Sequence, residues 1–220
     1  MRISLRSIRK YIVTPGVAKH RIFVWRDSNV LSNQGTIVFA RSDDYFFGVL
    51  HSRPHELWSL RMGTSLEDRP RYTSTTSFET FPCPWPPGHE PTEEDDLQVA
   101  EIAHWARELV KWRDAWQNPP APPKGTLDVS YSRLLKSRTL TNLYNGLVYY
   151  REHKGPNYDR TAFDKVTSKS VGRDDIRELD DIHRALDAAV LRAYGWPTDL
   201  SDEAILERLL ALNLERAARQ

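Results

Sequence analysis

The side chains in this sequence best suited to meeting a ligand are cations interleaved with hydroxyls and aromatics. Lys19-His20-Arg21 leads into an aromatic and β-branched run, Arg61, Thr64 and Ser65 surround Gly63, and Arg69-Pro70-Arg71-Tyr72 follows. Arg2, Arg6, Arg9 and Lys10 add further charge near the N-terminus, where residues 1–26 hold seven bases and no acid. Lysine and arginine neutralise phosphates, and an arginine fork or an Asn or Gln amide can hydrogen-bond base edges in a major groove. Arg2, Arg6, Arg9, Lys10, Lys19, Arg21, Arg61, Thr64, Ser65, Arg69 and Arg71 are therefore the candidate contacts to DNA. The plainer alternative is a solvated surface on which Arg69 or Arg71 pairs with Glu67 or Asp68, a contact worth little.

Other constellations point away from catalysis. His51 and His55 stand four apart and precede Glu56, a spacing that puts two imidazoles on one helical face as in zinc sites. No glutamate lies between them to act as a base, and Pro54 breaks the helix such a site needs, so surface or capping histidines are expected and no metal. Asn118-Pro119-Pro120 looks like the start of the Asn-Pro-Pro-aromatic loop with which adenine amino-methyltransferases hold an extruded base. Here Ala121 follows and no strand precedes, so the run is expected to end a helix. Cys83 sits among prolines with no adjacent base to lower its pKa, which argues against a nucleophile. Glycines are few and scattered, so no strand, glycine-rich turn and helix announces a nucleotide site, and no S-adenosylmethionine pocket or other cofactor is expected.

The elements that must position these residues read as a small α/β segment followed by helices, an α+β arrangement. Strands are expected at 11–13, 21–25 and 36–40. A helix should begin near Asp43 and be interrupted near Ser52, where Ser52-Arg53-Pro54 suits a cap followed by proline. Its second piece should bury Leu57, Trp58 and Leu60 and stop at Gly63. Residues 63–90 are rich in Thr, Ser and Pro and end in Phe81-Pro82-Cys83-Pro84-Trp85-Pro86-Pro87-Gly88, a run that reads as an extended connector because proline blocks helix and removes donors. The boundary is placed near Gly88, giving domains 1–88 and 89–220. Further helices are expected from Thr92 to about Trp116, then over 131–137, 140–153, 159–168, 173–194 and 202–218. Residues 88–117 are acidic, with eight acids against three bases, and the net charge is +1. A single cysteine, no secretory leader and no apolar run of membrane-spanning length suit a cytoplasmic protein.

Several separated stretches resemble one family. They are Arg9-Lys10-Tyr11-Ile12-Val13-Thr14-Pro15, Lys19-His20-Arg21-Ile22-Phe23-Val24-Trp25, Asp44-Tyr45-Phe46-Phe47-Gly48-Val49-Leu50-His51-Ser52 and Phe78-Glu79-Thr80-Phe81-Pro82 in the first half. Arg138 to Asn145, Asp180 to Asp187, Ala193-Tyr194-Gly195-Trp196-Pro197 and Leu209 to Arg216 continue it in the second. Together they resemble the end of the target-recognition domain and the helical C-terminal region of MmeI-like (type IIL) restriction–modification proteins and related class I adenine DNA methyltransferases of bacteria. The resemblance implies a DNA-binding specificity fragment. Methyl transfer from S-adenosylmethionine and, where present, cleavage would belong to domains upstream of these residues. A truncated or split gene is then expected, with double-stranded DNA as one partner and an upstream methyltransferase or nuclease chain as a second. The alternatives are a scaffold that docks on a separate methyltransferase chain, or a remnant; a free-standing enzyme is not expected.

Overall fold

The computed structural model describes residues 8–66, 69–122, 129–153 and 155–219; Arg2, Arg6, Glu67 and Asp68 lie outside them. Strands β1 (Lys10–Pro15), β2 (Val24–Asp27) and β3 (Thr36–Phe39) are followed by helices α1 (Asp44–His51) and α2 (Arg53–Met62). A short pair, β4 (Thr64–Leu66) and β5 (Arg69–Arg71), and a π-helical turn at Ser74–Phe78 precede the remaining helices. These are α3 (Leu97–Gln117), α4 (Val129–Ser137), α5 (Leu140–Glu152), α6 (Arg160–Val166), α7 (Arg173–Ala193) and α8 (Asp202–Ala217). The class is α+β, as the sequence led us to expect. Among the described residues no helix is long and apolar enough to cross a membrane. The chain forms two compact units, residues 1–106 with 185–220, and residues 107–184, the divisions falling within α3 and α7.

In the first unit β1 is the middle strand of an antiparallel sheet of order β2-β1-β3. A middle strand covered on both faces needs a continuous apolar run rather than alternation, and Tyr11, Ile12, Val13 and Thr14 are all buried. The expected strand at 21–25 starts only at Val24, because the backbone of 21–23 bonds to side chains instead of a ladder. Ile22 O accepts from Thr14 Oγ1 at 2.8 Å, and Phe23 N–H donates to His51 Nε2 at 3.1 Å. Asp43 opens α1 by accepting from Phe46 N–H at 2.8 Å. The break at Ser52 is present, but its hydroxyl turns back to Val49 O at 2.7 Å. The first N–H of α2 is satisfied by Asp187 Oδ1 at 2.7 Å instead. Leu57 and Trp58 are buried as expected, whereas Leu60 is about half exposed at 47%.

The proline run belongs to this unit's core rather than to a free connector. Proline-interrupted chain leaves carbonyls without ladder partners, and buried carbonyls need donors. Tyr194 Oη donates to Pro82 O at 2.8 Å, Asn213 Nδ2 to Thr80 O at 2.7 Å, and Arg216 to Cys83 O at 2.7 Å and Pro84 O at 3.1 Å. The end of α7 and α8 thus bind the run from a distance in sequence, and neither division between the units falls at Gly88. Helix α3 starts at Leu97, not Thr92. Thr92 and Asp95 close a turn on each other at 2.6 Å, and Asp96 takes over the cap, accepting from Gln98 N–H at 2.8 Å and Val99 N–H at 3.0 Å.

In the second unit Leu109, Leu143, Leu147, Phe163, Ile176 and Leu179 are buried. The buried Asp180 carboxylate accepts from Arg151 Nε at 2.6 Å and Arg184 Nε at 2.9 Å. Burial alone would raise the Asp180 carboxyl; the Arg151 hydrogen bond and the two guanidinium charges outweigh it and hold the group below its usual value.

Gly48 sets how closely α1 approaches α3 within the first unit. A Cβ there would lie 2.7 Å from Ile102 Cγ2, 3.1 Å from Ile102 O and 3.2 Å from Ala106 Cβ. Gly48→Ala is expected to destabilise the protein by about 1–3 kcal/mol, the usual cost of overpacking a core, measured as a lowered urea midpoint with an unchanged m-value.

Candidate nucleic-acid interface

Strands β4 and β5 form a two-stranded antiparallel ribbon with Thr64 opposite Arg71, Ser65 opposite Pro70 and Leu66 opposite Arg69. Side chains alternate between faces along a strand, so Thr64, Arg69 and Arg71 share one face. All three are exposed. Pro70 falls on the other face, and its carbonyl accepts from Ala18 N–H at 3.4 Å. Tyr72 N–H donates to Gly16 O at 2.8 Å, and Val17 bridges Arg71, so the loop carrying Lys19 runs beside β5. At the foot of the ribbon, Gly63 closes α2 with extended backbone rather than the left-handed turn of a common glycine cap. Glycine is needed there for space, since a Cβ would lie 2.6 Å from Ser59 O and 2.8 Å from Arg71 O.

A buried network fixes the ribbon to the sheet and the helices. Arg21 Nη1 donates to Thr14 Oγ1 at 3.1 Å and to Pro15 O, and Nη2 donates to Pro70 O at 3.3 Å. Its guanidinium lies 4.9 Å from the centre of the Tyr72 ring. Burial pulls the Arg21 pKa down to about 10, against the favourable influence of Tyr72, which leaves it charged at neutral pH. Tyr72 Oη lies 3.0 Å from His55 Nε2, and His55 Nδ1 lies 2.8 Å from Leu50 O. A carbonyl only accepts, so the proton sits on Nδ1 and the tyrosine donates to Nε2.

The expected contacts therefore separate into two groups. Arg21 and Lys10 serve the fold, Lys10 pairing with Asp44 at 2.8 Å and lying 3.8 Å over the Trp25 ring. Arg9, Lys19, Arg61, Thr64, Arg69 and Arg71 are exposed, and of these Thr64, Arg69, Arg71 and the Lys19 loop are brought together. Ser65 lies in β4. The ribbon also borders a cleft of about 600 Å³ lined by Gln34, Ile37, Arg71, Thr73 and Ser74 among others. Sequence reasoning passed over Gln34, Thr73 and Ser74. The only local hint was the turn Asn33-Gln34-Gly35, held by Gly16 N–H donating to Gly35 O at 2.8 Å.

The remaining constellations resolve into structure. His51 and His55 are buried rather than on the surface, His55 completely, with ring nitrogens engaged by Phe23, Phe47, Leu50 and Tyr72. Among the described residues no group of three or more His, Cys, Asp or Glu is arranged to hold a metal. Burial pushes the Cys83 thiol up to about 12, so it is a thiol at neutral pH. Asn118 follows the end of α3, its N–H and side-chain amide both donating to Asp114 O.

The family model of the MmeI target recognition domain matches residues 12–85. Residues 12–85 are thus similar to an MmeI target-recognition domain. The span begins in β1 and ends in the proline run, so it contains the sheet, α1, α2 and the ribbon. A solved structure, described as type IIL restriction–modification enzyme MmeI in complex with DNA, shares the fold, with a TM-score of 0.60 and 20% identity. The superposition covers 95% of this chain and 21% of that one, so this chain spans about a fifth of its length. No curated protein sequence matches the chain.

His55 gives the domain's scaffold a pH dependence of definite sign. Burial lowers its pKa to about 4 from the ordinary 6.5, the nearby Arg21 charge adding to this and the Leu50 hydrogen bond opposing it. The unfolded chain then takes up the proton first, so stability is full above about pH 6.5 and falls as pH drops toward 4. The loss is about 3 kcal/mol at most, at roughly 1.4 kcal/mol per pK unit. Urea denaturation between pH 7 and 4.5 should show a shallower decline in His55→Gln than in the wild-type protein; parallel curves would contradict this assignment.

Proposed function

We propose that this chain supplies DNA sequence recognition for a restriction–modification activity of the MmeI type, and that the β4–β5 ribbon reads duplex DNA. The observation that carries this reading is the single ribbon face bearing Thr64, Arg69 and Arg71, set in a segment similar to a target-recognition domain and bordered by the loop of Lys19 and by Gln34. A two-stranded ribbon is one of the two elements a major groove admits, and an arginine fork matches guanine there as a Gln amide matches adenine. Arg69 and Arg71 are two residues apart on an extended strand, about 6.8 Å, which is close to two steps of duplex DNA at about 3.4 Å each. Arg9, Lys19 and Arg61 serve as phosphate contacts that set register. Methylation of adenine and any cleavage are assigned to domains or a partner chain outside these residues, and S-adenosylmethionine to those domains as well.

A second reading, docking on a separate methyltransferase chain, is favoured by Leu210 and Leu214, one turn apart on α8 and exposed by 50% and 60%. Replacing both with glutamate would abolish such a complex while leaving DNA affinity intact, as read by co-purification.

Fluorescence anisotropy with duplexes of different sequence tests the ribbon. Arg69→Ala or Arg71→Ala should each cost about 1–3 kcal/mol on a preferred duplex and narrow the gap between preferred and random sequence. Lys19→Ala should weaken all duplexes alike and flatten the salt dependence by about one unit of slope. Affinity unchanged in the arginine variants would overturn the reading.

A further inference from the structure

The helical unit carries a concentration of positive charge that its own packing does not use. Residues 129–173 contain nine Lys or Arg against three acids. Arg138 is spent on Trp116 O and its ring, Arg151 on Asp180, Arg160 on Asp164, and Arg173 lies over Tyr158. Four described cations remain: Arg133, Lys136, Lys165 and Lys169, all exposed, with no ion pair to another described residue.

Helix α5 holds the C-terminal ends of α4 and α6, the two helices that carry or adjoin these cations. Asn142 Nδ2 donates to Ser137 O at 2.8 Å, and Asn145 Nδ2 donates to Val166 O at 3.1 Å. Positions three apart lie on one helical face, so the C-terminal ends of α4 and α6 are pinned to neighbouring turns of α5. Lys136 precedes Ser137 by one residue, and Lys165 precedes Val166 by one. Arg133 lies one turn back along α4. Lys169 is kept near the end of α6 by its N–H, which donates to Asp164 O at 2.8 Å. That turn holds Ser168 and Lys169 at φ of 54° and 55°, a left-handed conformation natural to glycine and uncommon for L side chains.

Helix dipoles explain part of this arrangement, since a cation in the last turn offsets the partial negative charge of the helix end. That accounts for Lys136 and Lys165. It leaves out Arg133, well inside α4, and Lys169, which lies beyond the end of α6 in a backbone conformation better suited to glycine. Helix α4 also buries no side chain, so its exposed Arg133 faces solvent without a structural task.

We propose that Arg133, Lys136, Lys165 and Lys169 form a second phosphate-contacting surface, one that grips the backbone of duplex DNA independently of sequence. The inference rests on the DNA-binding role of the chain but not on the ribbon's part in it. Such contacts release counterions, so each phosphate given up flattens the slope of log affinity against log salt by about 0.9.

The test uses the 220-residue chain, labelled duplex DNA of mixed sequence and a salt series. Replacing all four cations with glutamine is expected to flatten the slope by roughly two or more and to weaken every duplex alike, about tenfold or more at low salt. A variant with the three lysines changed to arginine should bind like wild type. Circular dichroism and thermal melting check folding; if the fourfold variant does not fold, Lys165→Gln with Lys169→Gln is expected to show a proportionate part of the effect. Slope and affinity equal to wild type would overturn this surface while leaving the ribbon reading intact. A normal effect here with Arg69→Ala and Arg71→Ala indifferent would support it and overturn the ribbon instead, and a wild-type protein that binds no duplex at any salt would overturn both.

Discussion

A guanidinium taken out of water must find acceptors, and Arg21 finds them at the one place where sheet, helices and ribbon meet. It donates to the end of β1 through Thr14 and Pro15 and to β5 through Pro70, and it lies over the ring of Tyr72. Tyr72 in turn donates to His55 in α2, and His55 to Leu50 in α1. Leaving such a half-buried charge without partners is costly, so Arg21 adds to the backbone bonds of Ala18 to Pro70 and Tyr72 to Gly16 in fixing β5 relative to the sheet. A six-residue ribbon has almost no core of its own, and a lone hairpin is at best marginally stable. The fixed geometry of Arg69 and Arg71 is inherited from this anchor, and a reader of base edges requires such rigidity.

The same logic sorts the cations of the chain. Those that the fold consumes sit against carbonyls, carboxylates or aromatic faces: Arg21, Lys10 with Asp44 and Trp25, Arg53 between Asp202 and Glu56, Arg151 with Asp180. Those on the ribbon and at the ends of α4 and α6 face solvent. Net charge near zero conceals this division, because acids concentrated in residues 88–117 balance bases placed elsewhere. For binding a polyanion, the arrangement of exposed cations outweighs their sum.

What the sequence discloses is what neighbouring residues decide. Asp43 and Ser201 cap α1 and α8, and Gly195, at φ of 70°, ends α7 ahead of Pro197, all through contacts within a few positions. The break between α1 and α2 at Ser52 is equally local. Residues whose role is set by distant partners are misread. Arg21 looks like a phosphate ligand until Pro70 and Tyr72 fold across it, and His51 and His55 look superficial until Phe23 and Tyr72 take their ring nitrogens. The β4–β5 ribbon is hidden because three-residue strands carry no periodicity and Pro70 argues against a strand, although proline is tolerated where its missing N–H faces away from the ladder. The proline run near Cys83 reads as a tether because the donors that bind it, Asn213 and Arg216, are more than a hundred residues away. Of the interface, the cations were legible in the sequence; which of them point outward, and that Gln34 joins them, were not.

The central claim, that Arg69 and Arg71 on the ribbon read bases, is tested most directly by selecting bound duplexes from a random pool with the wild-type protein and with the double variant Arg69→Ala, Arg71→Ala. The account predicts that wild type enriches a defined motif, and that the variant enriches one in which preference is lost at neighbouring positions and kept elsewhere. Enrichment of the same motif with undiminished preference at every position by the double variant would contradict it.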